Sequence, residues 1–293
     1  MQYPERLDRY RKQVEPVLER SAAAFNGPAA LREAMSYSLT AGGKRLRPTL
    51  VLATRDLFGA DGHDPWPAAC ALEFVHTYSL IHDDLPALDN DDLRRGMPTC
   101  HKRFGEALAL LAGDALLTEA FHLIARSYRY AAPAVGIALV AELSEAAGAA
   151  GMVGGQVLDT VNVDPNASMT AVEQVHRMKT GALIIASVRC GAILGSADEA
   201  SLGALTRYAA HIGLAFQVTD DILDVTSTAQ ELGKTIGKDA AQHKTTYVSA
   251  WGVEKSRAYA AELIERAVAE LSVFGDRAAT LRDLAHFIRE RKN

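Results

Sequence analysis

The sequence predicts an all-α protein, a bundle of about ten or more helices, on three observations. Apolar residues recur at helical spacing along nearly all of its 293 residues, in a background of Ala, Leu, Glu and Arg. Alternating runs of β-branched residues are almost absent, and the connections between periodic segments are short. A hydrophobic content of 48% supports a sizeable core. No Pro/Gly/Ser-rich linker, low-complexity tract or solenoid repeat interrupts the pattern, so residues 1–293 are expected to form one domain.

The periodicity places helices over 5–24, 28–39, 48–59, 67–84, 101–129, 133–160, 170–194, 197–225, 246–272 and 278–290. Local start signals support several of these. Pro67 suits a first helical turn, and Thr170 with Glu173 and Ser196 with Glu199 have the spacing of capping boxes. Three segments stand out as loops, 41–48, 86–98 and 227–246, and they hold most of the unusual charge. Function is expected there.

A formal net charge of −5 gives no overall attraction to nucleic acid or to an anionic membrane, so an anion site must be a local cluster. The N-terminus is charged from its fifth residue and lacks the apolar core of a secretory signal. The apolar stretches at 107–117 and 184–194 are interrupted by Asp114 and Arg189 and are short for a bilayer span. No stable membrane anchor is expected. Cys70, Cys100 and Cys190 form no CxxC pair, which predicts buried, reduced thiols and a cytoplasmic location.

The first acidic motif runs from His82 through Asp83, Asp84, Leu85, Pro86, Ala87, Leu88, Asp89, Asn90 and Asp91 to Asp92. Its carboxylates repel one another. On a regular helix Asp83 and Asp89 would point about 240° apart, so they can converge only where the helix loosens at Pro86. In the second motif, Gln217, Asp220, Asp221 and Asp224 share one stripe of a helix. Stacked like charges of this kind call for a counter-ion. Hard oxygen ligands without nearby Cys or His favour magnesium, with manganese as a substitute, and magnesium keeps waters and takes phosphate oxygens.

Basic residues follow each acidic element. Gly42, Gly43, Lys44, Arg45, Leu46, Arg47 and Pro48 join a turn to a helix N-terminus, where N–H groups and cations attract anions. Arg94 and Arg95 follow the first acidic run, and guanidinium forks suit phosphate. Lys179, Thr180 and Gly181 interrupt the 170–194 helix. Lys234, Lys238 and Lys244 follow the second acidic motif.

In their order, GGKRLRP, the DDxxxxD with its trailing RRG, GGQ at 154–156, KTG, FQxxDDxxD and GKxxGxD resemble the trans isoprenyl diphosphate synthases (polyprenyl synthetases), and more narrowly the bacterial short-chain type that makes farnesyl diphosphate. The resemblance runs from about Gly42 to Tyr247. It implies the isoprenoid synthase fold, helices around a central cavity, and a homodimer. It implies that Asp83, Asp89 and Asp220 bind three magnesium ions bridging an allylic diphosphate, with Asp84, Asp221 and Asp224 nearby as ligands or their hydrogen-bond partners. Arg94, Lys179 and Lys234 would contact that diphosphate, whereas Lys44, Arg47, His76 and Arg95 would hold isopentenyl diphosphate, with Lys244 as a further substrate contact. Thr180 and Gln217 would offer dipoles to an allylic cation.

The implied reaction begins with ionisation of dimethylallyl or geranyl diphosphate in a dry cavity. The isopentenyl double bond then attacks, and the released diphosphate takes the proton. Tyr78 and Ser79 lie five and four residues before Asp83, about 6 to 7.5 Å along a helix, comparable with one isoprene unit. Ideal geometry puts Ser79 nearer the aspartate stripe; the resemblance assigns the cavity floor to Tyr78 and a C15 product, with geranyl and geranylgeranyl diphosphate as alternatives. Asn90 interrupts an acidic run, and Val248 stands where such synthases often have Pro. Two rivals remain. A terpene cyclase would not need the second basic set, and Glu73/His76 with Glu173/His176 have the i, i+3 spacing of a di-iron bundle.

Overall fold

The computed structural model describes residues 4–59, 61–161, 167–226 and 245–291. Helices dominate it, as the periodicity predicts. α1 (Glu5–Ala23) buries Leu7, Tyr10, Val14 and Leu18 at i, i+3 and i+4 spacing, the signature of a helix with one apolar face. α2 (Ala29–Leu39), α3 (Leu46–Arg55) and α4 (Trp66–Asp83) follow. Within α4 most residues from Ala68 to Tyr78 are buried, so this helix is core on most sides.

Glycine divides three of the predicted helices. The 101–129 segment is α5 (Cys100–Phe104) and α6 (Glu106–Tyr128), parted at Gly105, whose φ of 87° reverses the backbone. The 133–160 segment is α7 (Pro133–Ala147) and α8 (Met152–Thr160), parted at Gly148–Gly151. α9 (Met169–His176) passes through a π-helical turn, Arg177–Gly181, into α10 (Ala182–Leu194). α11 (Glu199–Thr226) is a single helix about 42 Å long. Beyond it, α12 (Tyr247–Trp251) and α13 (Val253–Glu270) part at Gly252, and α14 (Ala279–Glu290) closes the series.

Two expected caps are corrected. Ser168, not Thr170, caps α9 by accepting from the Ala171 N–H. Asp198 accepts from the Ser201 N–H at 2.8 Å where Ser196 was expected, because Ser196 itself sits in the left-handed region. The segment 86–98 is not loop throughout either. β1 (Leu93–Arg94) and β2 (Met97–Pro98) form a minimal antiparallel hairpin, with Leu93 opposite Pro98 and Arg94 opposite Met97. Its two-residue turn, Arg95 and Gly96, has positive φ at both positions, which matches the twist of a tight hairpin.

α4 packs against α3 and α6, α10 against α3, α7 and α11, and α11 against α13 and α14. A cavity of about 930 Å³ opens among α3, α4, α8, the π-turn and α11. Cys70, Cys100 and Cys190 are buried and unpaired, as expected. By length and composition alone α6 and the stretch 133–160 would be long enough for a bilayer, with mean hydropathy 1.5 and 1.3, but the second is broken at Gly148–Gly151, and a core helix meets the same measure. Their apolar residues are not all inward. Leu110, Leu111 and Ile137 are exposed.

α8 approaches the π-turn so closely that a Cβ on Gly155 would lie 2.3 Å from the Lys179 backbone nitrogen. Neither backbone can yield cheaply. Gly155→Ala is therefore expected to destabilise the fold by about 1–3 kcal/mol through overpacking, read as a lowered midpoint of denaturant unfolding.

Candidate active site

α4 ends at Asp83 because Pro86 has no N–H to donate to the His82 carbonyl, which accepts instead from Leu85 at 3.1 Å. The chain then folds back. The Asp89 N–H donates to the Asp83 carbonyl at 2.9 Å, and the Asn90 N–H to that of Leu85. This return brings Asp83 and Asp89 to the same cavity wall. Asn90, which interrupts the acidic run, has a φ of 49°, a left-handed position that Asn tolerates better than most residues. Burial, together with repulsion from Asp89 and Asp84, pushes the Asp83 carboxyl up to about 6 although Lys179 opposes the shift.

The second aspartate of each pair is buried and held by fixed partners. Asp84 turns away from the cavity and is buried, with both carboxylate oxygens held by Arg94: Nε donates to them at 2.9 Å and Nη2 at 2.7 Å. Asp221 is also buried. It accepts from Gln217 at 3.3 Å and from the Tyr247 N–H at 3.0 Å, and His176 Nε2 lies 3.7 Å away. Gln217 in turn accepts from the Thr180 hydroxyl at 3.0 Å, so the residues predicted to offer dipoles form one chain of hydrogen bonds. Asp220 and Asp224 of α11, and Asp221 between them, line the same cavity as the first motif.

The adjacent arginines point to different places because one lies in a strand and the other in its turn. Arg94 stays charged despite burial through its contact with Asp84. Arg95 donates to the Gly42 carbonyl and meets Arg47 and His76 on the second side of the cavity. There, burial pulls the Arg47 guanidinium down to about 10, with Arg95 adding repulsion and Glu73 opposing, and burial with Arg47 and Arg95 holds His76 neutral. Arg47 Nε is buried without a hydrogen-bond partner. Lys44 lines the same cavity. Two buried guanidinium groups that repel each other, as Arg47 and Arg95 do, fit an anion with several oxygens.

Arg45 and Asp159 were not singled out from the sequence. Arg45 lies at a φ of 49° before α3, its side chain fully buried and bonded to Glu15 at 3.0 Å, Glu73 at 2.7 Å and the Leu39 carbonyl at 2.9 Å. It anchors the turn that presents Lys44 and Arg47. Asp159 holds Lys179 at 2.7 Å on the cavity wall, and this bond with the charges of Asp159 and Asp83 keeps the lysine charged against burial. No pattern among sequence neighbours gives warning of either: Arg45 lies inside a basic run, and Asp159 is separated from Lys179 by 20 positions. Tyr78 and Ser79 both line the cavity. Tyr78 is buried and edge-on to His82 at 5.6 Å, whereas Ser79 donates to the His76 carbonyl at 2.9 Å. Lys234, Lys238 and Lys244 lie outside the described residues.

Among the described residues no group of three or more His, Cys, Asp and Glu forms a ready-made metal site. The di-iron arrangement fails directly, since Glu73 is spent on Arg45 and Glu173 on Arg177 at 2.6 Å. Asp83, Asp89, Asp220, Asp221 and Asp224 give the cavity its carboxylate oxygens, and the expectation of no nearby His is corrected, since His76, His82 and His176 line it too. The carboxylates fit hard divalent ions whose shells are completed by water and phosphate oxygens.

Residues 28–276 match the family model described as polyprenyl synthetase. The chain is 45% identical to the farnesyl diphosphate synthase of Geobacillus stearothermophilus, over 95% of each chain. It is 50% identical to a chloroplastic geranylgeranyl pyrophosphate synthase of Capsicum annuum, over 91% of this chain and 73% of that one. The crystal structure of an FPP/GFPP synthase from Zymomonas mobilis superposes with a TM-score of 0.85 at 39% identity, covering 97% of this chain and 99% of that one. By these matches and the helical fold built around the cavity, this chain belongs to the polyprenyl synthetase family.

Proposed function

We propose that the protein is a prenyltransferase that condenses isopentenyl diphosphate head-to-tail with dimethylallyl and geranyl diphosphate to give farnesyl diphosphate. The observation that carries this reading is one cavity lined by two sets of cations with different partners. Lys179 acts on Asp83 and Arg94 holds Asp84, whereas Arg47 and Arg95 act on each other and on His76. A single-substrate cyclase has no use for the second set. A volume of about 930 Å³ leaves room for two esters.

In this reading Asp83, Asp89 and Asp220 hold the magnesium ions, three in number, with Asp224 beside them. Bound there, the ions supply Lewis acidity toward a departing diphosphate and a template for it. Lys179 and Arg94 stabilise the negative charge that develops on the same group. Gln217 and Thr180, fixed by their mutual hydrogen bond, aim oxygen dipoles at the positive charge left on the allyl carbon. Arg47, Arg95 and Lys44 bind the second diphosphate, so that its double bond lies within reach of that carbon. His76, held neutral, adds polarity there without adding to the local cationic charge. The released diphosphate takes the proton.

Product length rests on Tyr78. Its ring is buried at the cavity wall and packed edge-on against His82, and burial pushes its hydroxyl up to about 12, so it is a neutral obstacle. The relatives include makers of both C15 and C20 products by name, and Tyr78 favours C15. The exposed apolar residues of α6 and α7 favour a homodimer built on those helices, with residues 1–293 as one domain per protomer. The three buried thiols suit a reducing cytoplasm.

The decisive test incubates the protein with isopentenyl diphosphate and each of dimethylallyl, geranyl and farnesyl diphosphate, with and without magnesium. Magnesium-dependent conversion of the first two to C15 is expected; no elongation of any starter overturns the proposal. Tyr78→Ala is expected to release products of C20 and longer, and an unchanged chain-length profile removes Tyr78 as the floor. In light scattering the protein is expected at twice its 31.5 kDa chain mass, with Leu111→Asp and Ile137→Asp together reducing it to one chain. A wild-type monomer refutes the dimer.

A further inference from the structure

We propose that Arg291 is a positioning residue for Asp220, acting on metal binding through that carboxylate. Arg291 follows α14 in extended conformation, and its side chain passes into the protein until only 1% is exposed. Its Nη2 donates to Asp220 Oδ1 at 2.7 Å and to the Phe216 carbonyl at 2.7 Å. The guanidinium also lies over the Phe216 ring, 3.8 Å from its centroid. Phe216 and Asp220 are one helical turn apart on α11, and both line the cavity. A single cation thus ties together two cavity-lining residues.

The arrangement is costly for stability alone. A buried guanidinium loses its hydration, and Arg291 Nε is buried with no hydrogen-bond partner. Asp220, by contrast, is 35% exposed, so a pair formed only for stability gains little on that side. The geometry serves orientation better. One oxygen of Asp220 is fixed by Arg291, while Oδ2 has no partner among the described residues, which leaves it to a cation in the cavity. Asp221 is fixed by different groups, Gln217 and the Tyr247 N–H, so Arg291 acts on Asp220 specifically. Hydrogen-bond partners of ligating carboxylates commonly change metal affinity by about 10–100-fold.

This inference rests on reading Asp220 as a metal ligand, and the test separates the two. Mn2+ binding to the full chain is measured from the electron paramagnetic resonance of the free ion for wild type, Arg291→Met, Asp220→Asn and the double variant. Arg291→Met is expected to weaken Mn2+ binding about 10-fold or more. In the Asp220→Asn background the same change is expected to add nothing, an outcome that general loosening of the fold does not produce. Arg291→Gln, which keeps a donor for the Phe216 carbonyl but no charge, is expected to show the same loss and decides the matter if Arg291→Met does not fold. Wild-type affinity in the folded Arg291 variants, or additive losses in the double variant, overturns the inference. Wild-type affinity in Asp220→Asn instead overturns the reading of Asp220 as a ligand.

Discussion

Burying a carboxylate beside others of its own motif is costly, and at Asp83 burial, with repulsion from Asp89 and Asp84, raises the proton affinity toward pH 6 against the pull of Lys179 and Arg94. Much of the surrounding structure can be understood as the means of tolerating it. In each aspartate pair the second residue is buried and given fixed partners, Arg94 for Asp84, which leaves the cavity lining, and Gln217 with the Tyr247 N–H for Asp221, which stays in it. Lys179 faces the first motif while bonded to Asp159, and Arg291 approaches the second. The charge left on the cavity face is what hard cations and a phosphate ester would complete.

The other wall has the opposite imbalance, and it depends on a residue that does not face substrate as its main business. Arg45 takes Glu15 and Glu73 as partners, so the nearest buried carboxylate to Arg47 is already committed. Arg47 and Arg95 thereby feel Glu73 only at a distance and repel each other beside the cavity. The hairpin gives the two arginines different partners: with Arg94 in a strand and Arg95 in the turn, the first bonds Asp84 and the second the Gly42 carbonyl.

The motifs were legible because their chemistry is compressed into short stretches. Asp83 with Asp89, Asp220 with Asp224, and Lys44 with Arg47 each lie within seven residues, and the need for a break at Pro86 follows from the missing N–H alone. The partners that set those residues were not legible. Arg291 is 71 positions from Asp220, Asp159 is 20 from Lys179, and Glu73 is 28 from Arg45. Spacing rules reach only one or two helical turns, and beyond that the meeting of two side chains is a property of packing.

Helical class, the order of the helices and the two acidic stripes were determined by the sequence, since periodicity, proline and glycine act through the local backbone. Where several helices break was decided by details finer than periodicity, such as the positive φ of Gly105 and Gly252. Only the tertiary structure decided which partners fix Asp84 and Asp221, which partner each of Arg94 and Arg95 takes, and that a cation from beyond α14 reaches Asp220. Those choices depend on burial and on charges brought close by the fold, and neither quantity exists until distant helices pack.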